Sequence, residues 1–193
     1  MRTFGYVKST LSASDASVDS QTGILPGQYD LRAQLPDVRD QGSVSKCVSC
    51  SVTDMLIYKS RSEDRNLTIK DDFFFKERYD KKIDGMSPKE AFEIAKSNYK
   101  LKLYAKVGSA EIAKKSILVY GVVLIALPCY NDTNDFWLKS GALMGGHAVT
   151  LVGWNNNGFI LRNSWGTSYG TGGYHILPYD KFNSAYECWV IIS

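Results

Sequence analysis

Gly145-Gly146-His147-Ala148-Val149-Thr150-Leu151-Val152-Gly153-Trp154, the turn Asn155-Asn156-Asn157-Gly158, and then Phe159-Ile160-Leu161-Arg162-Asn163-Ser164-Trp165-Gly166 is the stretch that decides how this chain folds. Two β-branched and aromatic runs flank a short Asn/Gly turn, the pattern of an antiparallel hairpin. Antiparallel pairing brings Asn163 back beside His147. An asparagine side-chain oxygen there can accept the imidazole N–H and fix the tautomer, while Trp165 shields that bond from water. Gly145 and Gly146 leave the His147 ring accessible from a cleft. The other histidine, His175, lies in Gly173-Tyr174-His175-Ile176-Leu177 and is expected to face solvent from a strand.

Outward from this hairpin, the second half of the chain continues in the same character. Glycine-separated apolar runs at residues 117–127, 147–154, 159–163, 174–177 and 189–192 read as strands. The first half reads differently. Val48, Val52, Met55 and Leu56 fall at helical spacing, so a helix of three to four turns begins at about Cys47. Further helices are expected at residues 72–79 and 87–99, the latter opened by Ser87-Pro88. Upstream, Tyr29-Asp30-Leu31-Arg32 and residues 35–42 read as an extended strand ending in a glycine turn, with the fold starting near Ile24. Helices first and strands second give an α+β class with a cleft between the halves.

Composition narrows the function. The chain has 193 residues, 44% hydrophobic and 22% charged, enough for one core of substantial size or two small ones. Its net charge of +3 comes from 23 basic and 20 acidic residues interleaved along the chain, which argues against a nucleic-acid partner. The longest apolar run, residues 117–128, is too short for a bilayer, so no membrane partner is expected. Residues 1–20 lack a secretory apolar core, and a cytoplasmic or virion-associated location is expected over a secreted one. Residues 9–23 are rich in Ser, Asp and Thr and read as surface or disordered chain, part of an extension over residues 1–28. Four unevenly spaced cysteines do not make a disulfide framework, and no metal or other cofactor is implied. Asn66-Leu67-Thr68 and Asn131-Asp132-Thr133 match the glycosylation pattern and are read as chance occurrences.

Cys47 carries the remaining chemistry. A thiol at a helix N-terminus meets unpaired N–H groups and the helix dipole, which favour the attacking thiolate, and Lys46 adds positive charge nearby. Nucleophilic cysteine chemistry also needs a base and a group that orients the base, roles that His147 and Asn163 can fill. The same segment, Cys47-Val48-Ser49-Cys50, also fits a thiol–disulfide oxidoreductase, with Cys50 as the resolving thiol.

With these residues assembled, Gly145-Gly146-His147-Ala148-Val149 and Arg162-Asn163-Ser164-Trp165-Gly166-Thr167-Ser168-Tyr169-Gly170-Thr171-Gly172-Gly173-Tyr174 closely resemble the histidine and asparagine blocks of the papain family of cysteine peptidases. Asp40-Gln41-Gly42-Ser43, with Cys47 six residues after Gln41, resembles the family's first block, and the order Gln, Cys, His, Asn is the family's own. The resemblance covers residues 24–193 and resembles most the small bacterial and viral members with a reduced helical lobe. It implies a two-lobed domain over residues 29–193, with a helical lobe at about 41–112 packed on an antiparallel sheet or barrel lobe at about 113–193, and the site in the cleft between them. It implies Cys47 as nucleophile, His147 as acid and base, Asn163 as its orienter and Trp165 as the shield. Gln41 and the Cys47 backbone N–H would form the oxyanion hole. Gly85, Met86, Gly145 and Gly146 would line the substrate's path. The implied partner is a peptide or protein substrate, and a monomer is expected.

The chain also departs from the family. Val44-Ser45-Lys46-Cys47-Val48 stands where Cys-Gly-Ser-Cys-Trp is usual, which removes the family's common disulfide beside the site. The interval from Cys47 to His147 is shorter than usual, and a long helical inhibitory segment is not seen, which leaves residues 1–28 as the available plug. A papain-fold protein that binds without cutting, or that ligates, also remains compatible with these residues.

Overall fold

The computed structural model describes residues 3–12, 15–18 and 24–193. The chain begins its regular structure with a two-residue strand, β1 (Tyr29–Asp30), and a 3-10 turn at Arg32–Gln34. A longer strand expected through residue 42 does not form. The Arg32 backbone N–H and guanidinium both close onto the Asp30 carboxylate, at 2.6–3.0 Å, and this local turn competes with extension.

Helix α1 (Cys47–Ser62) starts where the apolar spacing places it and buries 13 of its 16 residues, so it is enclosed on nearly every side. Its small polar residues suit that setting: the Ser49 hydroxyl accepts the backbone N–H of Phe75 from the next helix, α2 (Phe73–Glu77). Helix α3 (Pro88–Tyr99) has the expected start, with the Ser87 side chain accepting from the Glu90 N–H and Pro88 in the first turn. A short strand, β2 (Tyr104–Lys106), follows.

The sequence expectation fails at residues 117–122. Residues through 120 belong to helix α4 (Ala110–Tyr120), capped by the Ser109 side chain on the Ile112 N–H, and strand β3 (Val123–Cys129) begins only afterwards. The apolar run therefore straddles two elements, the end of a helix and the start of a strand. Gly121 divides them. Its φ of +96° is one that side-chain-bearing residues rarely adopt, and a Cβ there would sit 1.8 Å from the Tyr58 ring.

The sheet is completed by β4 (Gly145–Asn155), β5 (Gly158–Arg162), β6 (Tyr174–Leu177) and β7 (Glu187–Ile191). The strand order is β2-β7-β3-β4-β5-β6, with β1 added to β4, and every pairing is antiparallel. Helix α1 packs on β4, and one hydrophobic cluster among the described residues joins the helices to the sheet. The architecture is α+β, and no helix among the described residues is long and apolar enough to cross a membrane.

The N-terminal residues differ most from expectation. Residues 1–2 and parts of the Ser/Asp/Thr-rich stretch lie outside the described residues, but residues 3–12 and 15–18 are laid across the fold. Ser9 and Val18 are buried, and backbone bonds link Val18 and Ala16 to Lys106 of β2. Backbone hydrogen bonds and a few inserted side chains hold this stretch, which is why its poverty in apolar residues misleads.

Candidate active site

His147 is the third residue of β4 and Asn163 follows directly after β5. The hairpin register pairs Thr150 with Arg162, and the pleat then turns His147 and Asn163 to one another. His147 Nε2 and Asn163 Oδ1 are 2.8 Å apart and both residues are buried. Asn163 Oδ1 also accepts the Ser164 N–H at 2.7 Å, which identifies that end of the amide as oxygen. Nε2 must therefore be the protonated nitrogen, leaving Nδ1 as the basic one in the neutral ring. Trp165 is fully buried and stacks on the imidazole at 4.5 Å between centroids. Phe136 closes a second side edge-on at 5.1 Å. Nothing in the sequence pattern points to Phe136, which sits on the loop between β3 and β4.

Cys47 is the first residue of α1 and wholly buried. Burial pushes its thiol above the ordinary value, while nearby backbone groups, led by Ala148 and Gly5, pull it back. Ala148 immediately follows His147, so the thiol and the imidazole come from adjoining points of the two walls. Lys46 is engaged elsewhere, paired with Asp71 at 3.1 Å, which weakens its expected role beside the thiol.

Gln41 is placed by the asparagine block itself. Its N–H donates to the Ser164 carbonyl at 2.8 Å, the Gly166 N–H returns to the Arg39 carbonyl at 2.9 Å, and the Ser164 hydroxyl donates to Gln41 Oε1 at 2.7 Å. Deeper in, Asp54 of α1 accepts from Arg162 Nε and Arg39 Nε, each at 2.7 Å. Arg162 precedes Asn163, so this buried pairing ties the cysteine's helix to the asparagine's strand.

A polypeptide strand already lies across these residues. Gly5 and Val7 bracket Met86 in a parallel bridge: the Met86 N–H donates to the Gly5 carbonyl at 2.9 Å and the Val7 N–H to the Met86 carbonyl at 3.0 Å. The Tyr6 N–H reaches the Gly146 carbonyl at 3.4 Å, and Gln41 Nε2 donates to the Thr3 carbonyl at 3.2 Å. Fit is close throughout. A Cβ on Gly5 would fall 1.8 Å from the Ser45 carbonyl oxygen, on Gly85 2.4 Å from the Gly5 carbonyl oxygen, on Gly145 3.1 Å from Phe4, and on Gly146 2.2 Å from the Tyr6 ring. The four residues expected along the substrate's path, Gly85, Met86, Gly145 and Gly146, all face this strand.

The sequence profile described as "Papain family cysteine protease" matches residues 90–189, just over half of the chain. The chain belongs to the papain family of cysteine proteases. Papain-family relatives agree locally. An uncharacterized peptidase C1-like protein of Acanthamoeba polyphaga mimivirus is 45% identical over 53 residues, 25% of this chain and 17% of that protein. Cysteine proteinase 3 of Entamoeba histolytica is 47% identical over 58 residues, 28% of this chain and 17% of that protein. The matched stretch thus spans about one-sixth of the length of these relatives. The papain-like fold extends over nearly the whole chain: xylellain, a cysteine protease from Xylella fastidiosa, superposes with a TM-score of 0.85 at 19% identity, covering 98% of this chain and 96% of that one. Digestive procathepsin L 3 from Tenebrio molitor larval midgut gives a TM-score of 0.72 at 18% identity, covering 92% and 74%.

The other histidine and the other cysteines of this papain-family chain are buried. His175 is not solvent-facing as expected: it alternates inward on β6, packs against Trp137 and Tyr169, and burial lowers its pKa. All four cysteines are free and buried, and burial pushes Cys50 and Cys129 up, Cys129 to about 12. Among the described residues no group of histidines, cysteines and carboxylates could hold a metal.

Proposed function

We propose that the chain is a cysteine peptidase in which Cys47 is the nucleophile, His147 moves the protons and Asn163 orients His147. The single observation that supports this best is the His147 Nε2 to Asn163 Oδ1 bond of 2.8 Å, which makes Nδ1 the base on the wall that adjoins Cys47. Nδ1 takes the thiol proton as sulfur adds to the scissile carbonyl carbon, and gives it to the leaving amine as the C–N bond breaks. Water then adds to the thioester, His147 takes its proton, and the carboxylic acid and free thiol are released. Gln41 Nε2 and the Cys47 N–H serve as oxyanion donors. Gln41 Nε2 already donates to a peptide carbonyl, that of Thr3, which supports its competence for the task.

Peptides or proteins are the substrates, and residues 3–12 must leave the cleft before one can enter. A peptidyl epoxide is expected to label Cys47 and to fail after Cys47→Ala, with peptide turnover abolished in His147→Ala. Labelling of Cys50 in place of Cys47, or insulin disulfide reduction that survives His147→Ala, would favour a redox enzyme and overturn the assignment.

A further inference from the structure

Strand β2 ends the sheet, and the chain's own N-terminal residues cover N–H and C=O groups that its outer edge would otherwise leave unpaired. The Lys106 N–H donates to the Ala16 carbonyl at 2.7 Å, the Val18 N–H donates to the Lys106 carbonyl at 3.0 Å, and Ser17 forms a parallel bridge with Lys106. Lys89, near the start of α3, clasps the same stretch. Its Nζ holds the Asp15 carboxylate at 2.6 Å and donates to the Thr10 carbonyl at 3.0 Å, while its backbone N–H donates to the Ser9 hydroxyl at 3.3 Å. The Lys89 hydrogen bond draws the Asp15 carboxyl below its ordinary range.

The resident strand suits this edge with its backbone and its one carboxylate, but its side chains fill little of it. Val18 is buried, whereas Ala16 borders a hollow of about 460 Å³ lined also by Lys89, Glu93, Lys96, Leu103 and Tyr104. Glu93 already holds the Lys96 ammonium at 2.9 Å and the Tyr104 hydroxyl at 2.8 Å, so Lys89 is the cation that an incoming acid would meet. Asp15 is also the point from which residues 3–12 are tethered. With residues 15–18 lifted, the next hydrogen bond that holds the chain, among the described residues, is the Trp154 indole on the Pro26 carbonyl at 3.1 Å. Lengthening the tether from Asp15 to Pro26 lowers the effective concentration of the covering strand by about tenfold, following a −3/2 power of length.

We propose that the outer edge of β2, with Lys89 beside it, is a docking site for an extended segment of a partner protein that carries an acidic residue followed by a large apolar one, and that this segment displaces residues 15–18 and loosens residues 3–12 from the active-site cleft. The partner's backbone takes over the Lys106 N–H and C=O, and its carboxylate takes Lys89. Its apolar side chain fills the hollow beside Tyr104 that Ala16 leaves open. That buried apolar area is what the resident strand lacks and what lets a partner compete with it.

Use of the site as a switch rests on the peptidase reading, so both readouts of its test are independent of turnover. Asp15→Ala/Val18→Pro removes the carboxylate and the Val18 N–H. Iodoacetamide is expected to alkylate Cys47 in this variant about tenfold faster than in wild type, the factor set by tether length; equal rates overturn the release. Should Val18→Pro disturb the sheet, Lys89→Ala alone removes the clasp and must also speed alkylation, and no gain there overturns it. A capped peptide of residues 12–20 with leucine in place of Ala16 is next titrated into the double variant and followed by NMR at the Lys106 amide. It is expected to shift that resonance saturably, to bind about tenfold more tightly than its Asp15→Asn counterpart, and to lose that preference once Lys89→Ala is added. Millimolar amounts of the same peptide should speed alkylation of the wild-type protein, whose resident strand competes at a similar effective concentration. No shift, equal binding of the acid and amide peptides, or a wild-type rate that the peptide leaves unmoved overturns the docking site. Wild-type dimers in sedimentation whose Cys47 stays covered would give the edge to a second copy and overturn it as well. Absence of peptide hydrolysis with both readouts intact would remove the peptidase reading and leave the docking site assigned.

Discussion

At the scale of single residues, the Asn163 side chain does two things at once: it fixes the His147 tautomer and it is itself fixed by the Ser164 N–H. Asn163→Ala is expected to lower kcat on the order of 10²-fold with KM little changed, because orientation of the base matters most in the transition state; a change confined to KM in steady-state kinetics would contradict that role. The Cys47 thiol gives a second expectation. Its pKa is raised by burial, so the thiolate is scarce at neutral pH, and alkylation by iodoacetamide should accelerate as pH rises through the raised value. Gly5→Val cannot be seated 1.8 Å from the Ser45 carbonyl oxygen, so the covering strand lifts and the alkylation curve moves to lower pH. Superimposable curves for the two proteins would mean that the strand does not govern the thiol. These central residues were readable from sequence because the hairpin that joins His147 to Asn163 is local. Glu187, Phe136 and Tyr6 were not, since their places depend on contacts between distant parts of the chain, such as the Ser9 to Glu187 bond across 178 positions.

Among elements, the joint between α1 and β5 carries the most consequence. Asp54 accepts from Arg39 and Arg162 in the interior, and removing it strands two guanidinium groups away from water. Asp54→Ala is expected to destabilise the fold by about 3–5 kcal/mol, measured by urea unfolding; a loss below about 1 kcal/mol would show that the pairing is solvated in practice. Helix α3 was legible to its cap because Ser87-Pro88 is a start signal, and α1 to its first residue because its apolar spacing is local, although no side chain caps it. Residues 117–120 were not. Ile117, Leu118 and Val119 look alike whether they end a helix or begin a strand, and the separating fact, the close approach of Tyr58 to Gly121, is tertiary.

For the whole molecule, the same α1–β5 joint decides how the cleft is reached. The wall bearing Cys47 and the wall bearing Asn163 cannot part without breaking buried ion pairs, so entry must come from withdrawal of residues 3–12, whose hold is backbone hydrogen bonds and a few side chains. Such a tether also competes with any incoming peptide at an effective concentration on the order of millimolar. A slow unlatching that precedes encounter gives a particular kinetic form. The rate of modification by a fast covalent probe should level off as probe concentration rises, and the plateau should be the same for probes of unrelated chemistry. Rates that stay proportional to concentration, each probe with its own slope, would exclude it. With the plateau, turnover is paced by the breathing of residues 3–12, and the supply of substrate sets only whether each opening is used.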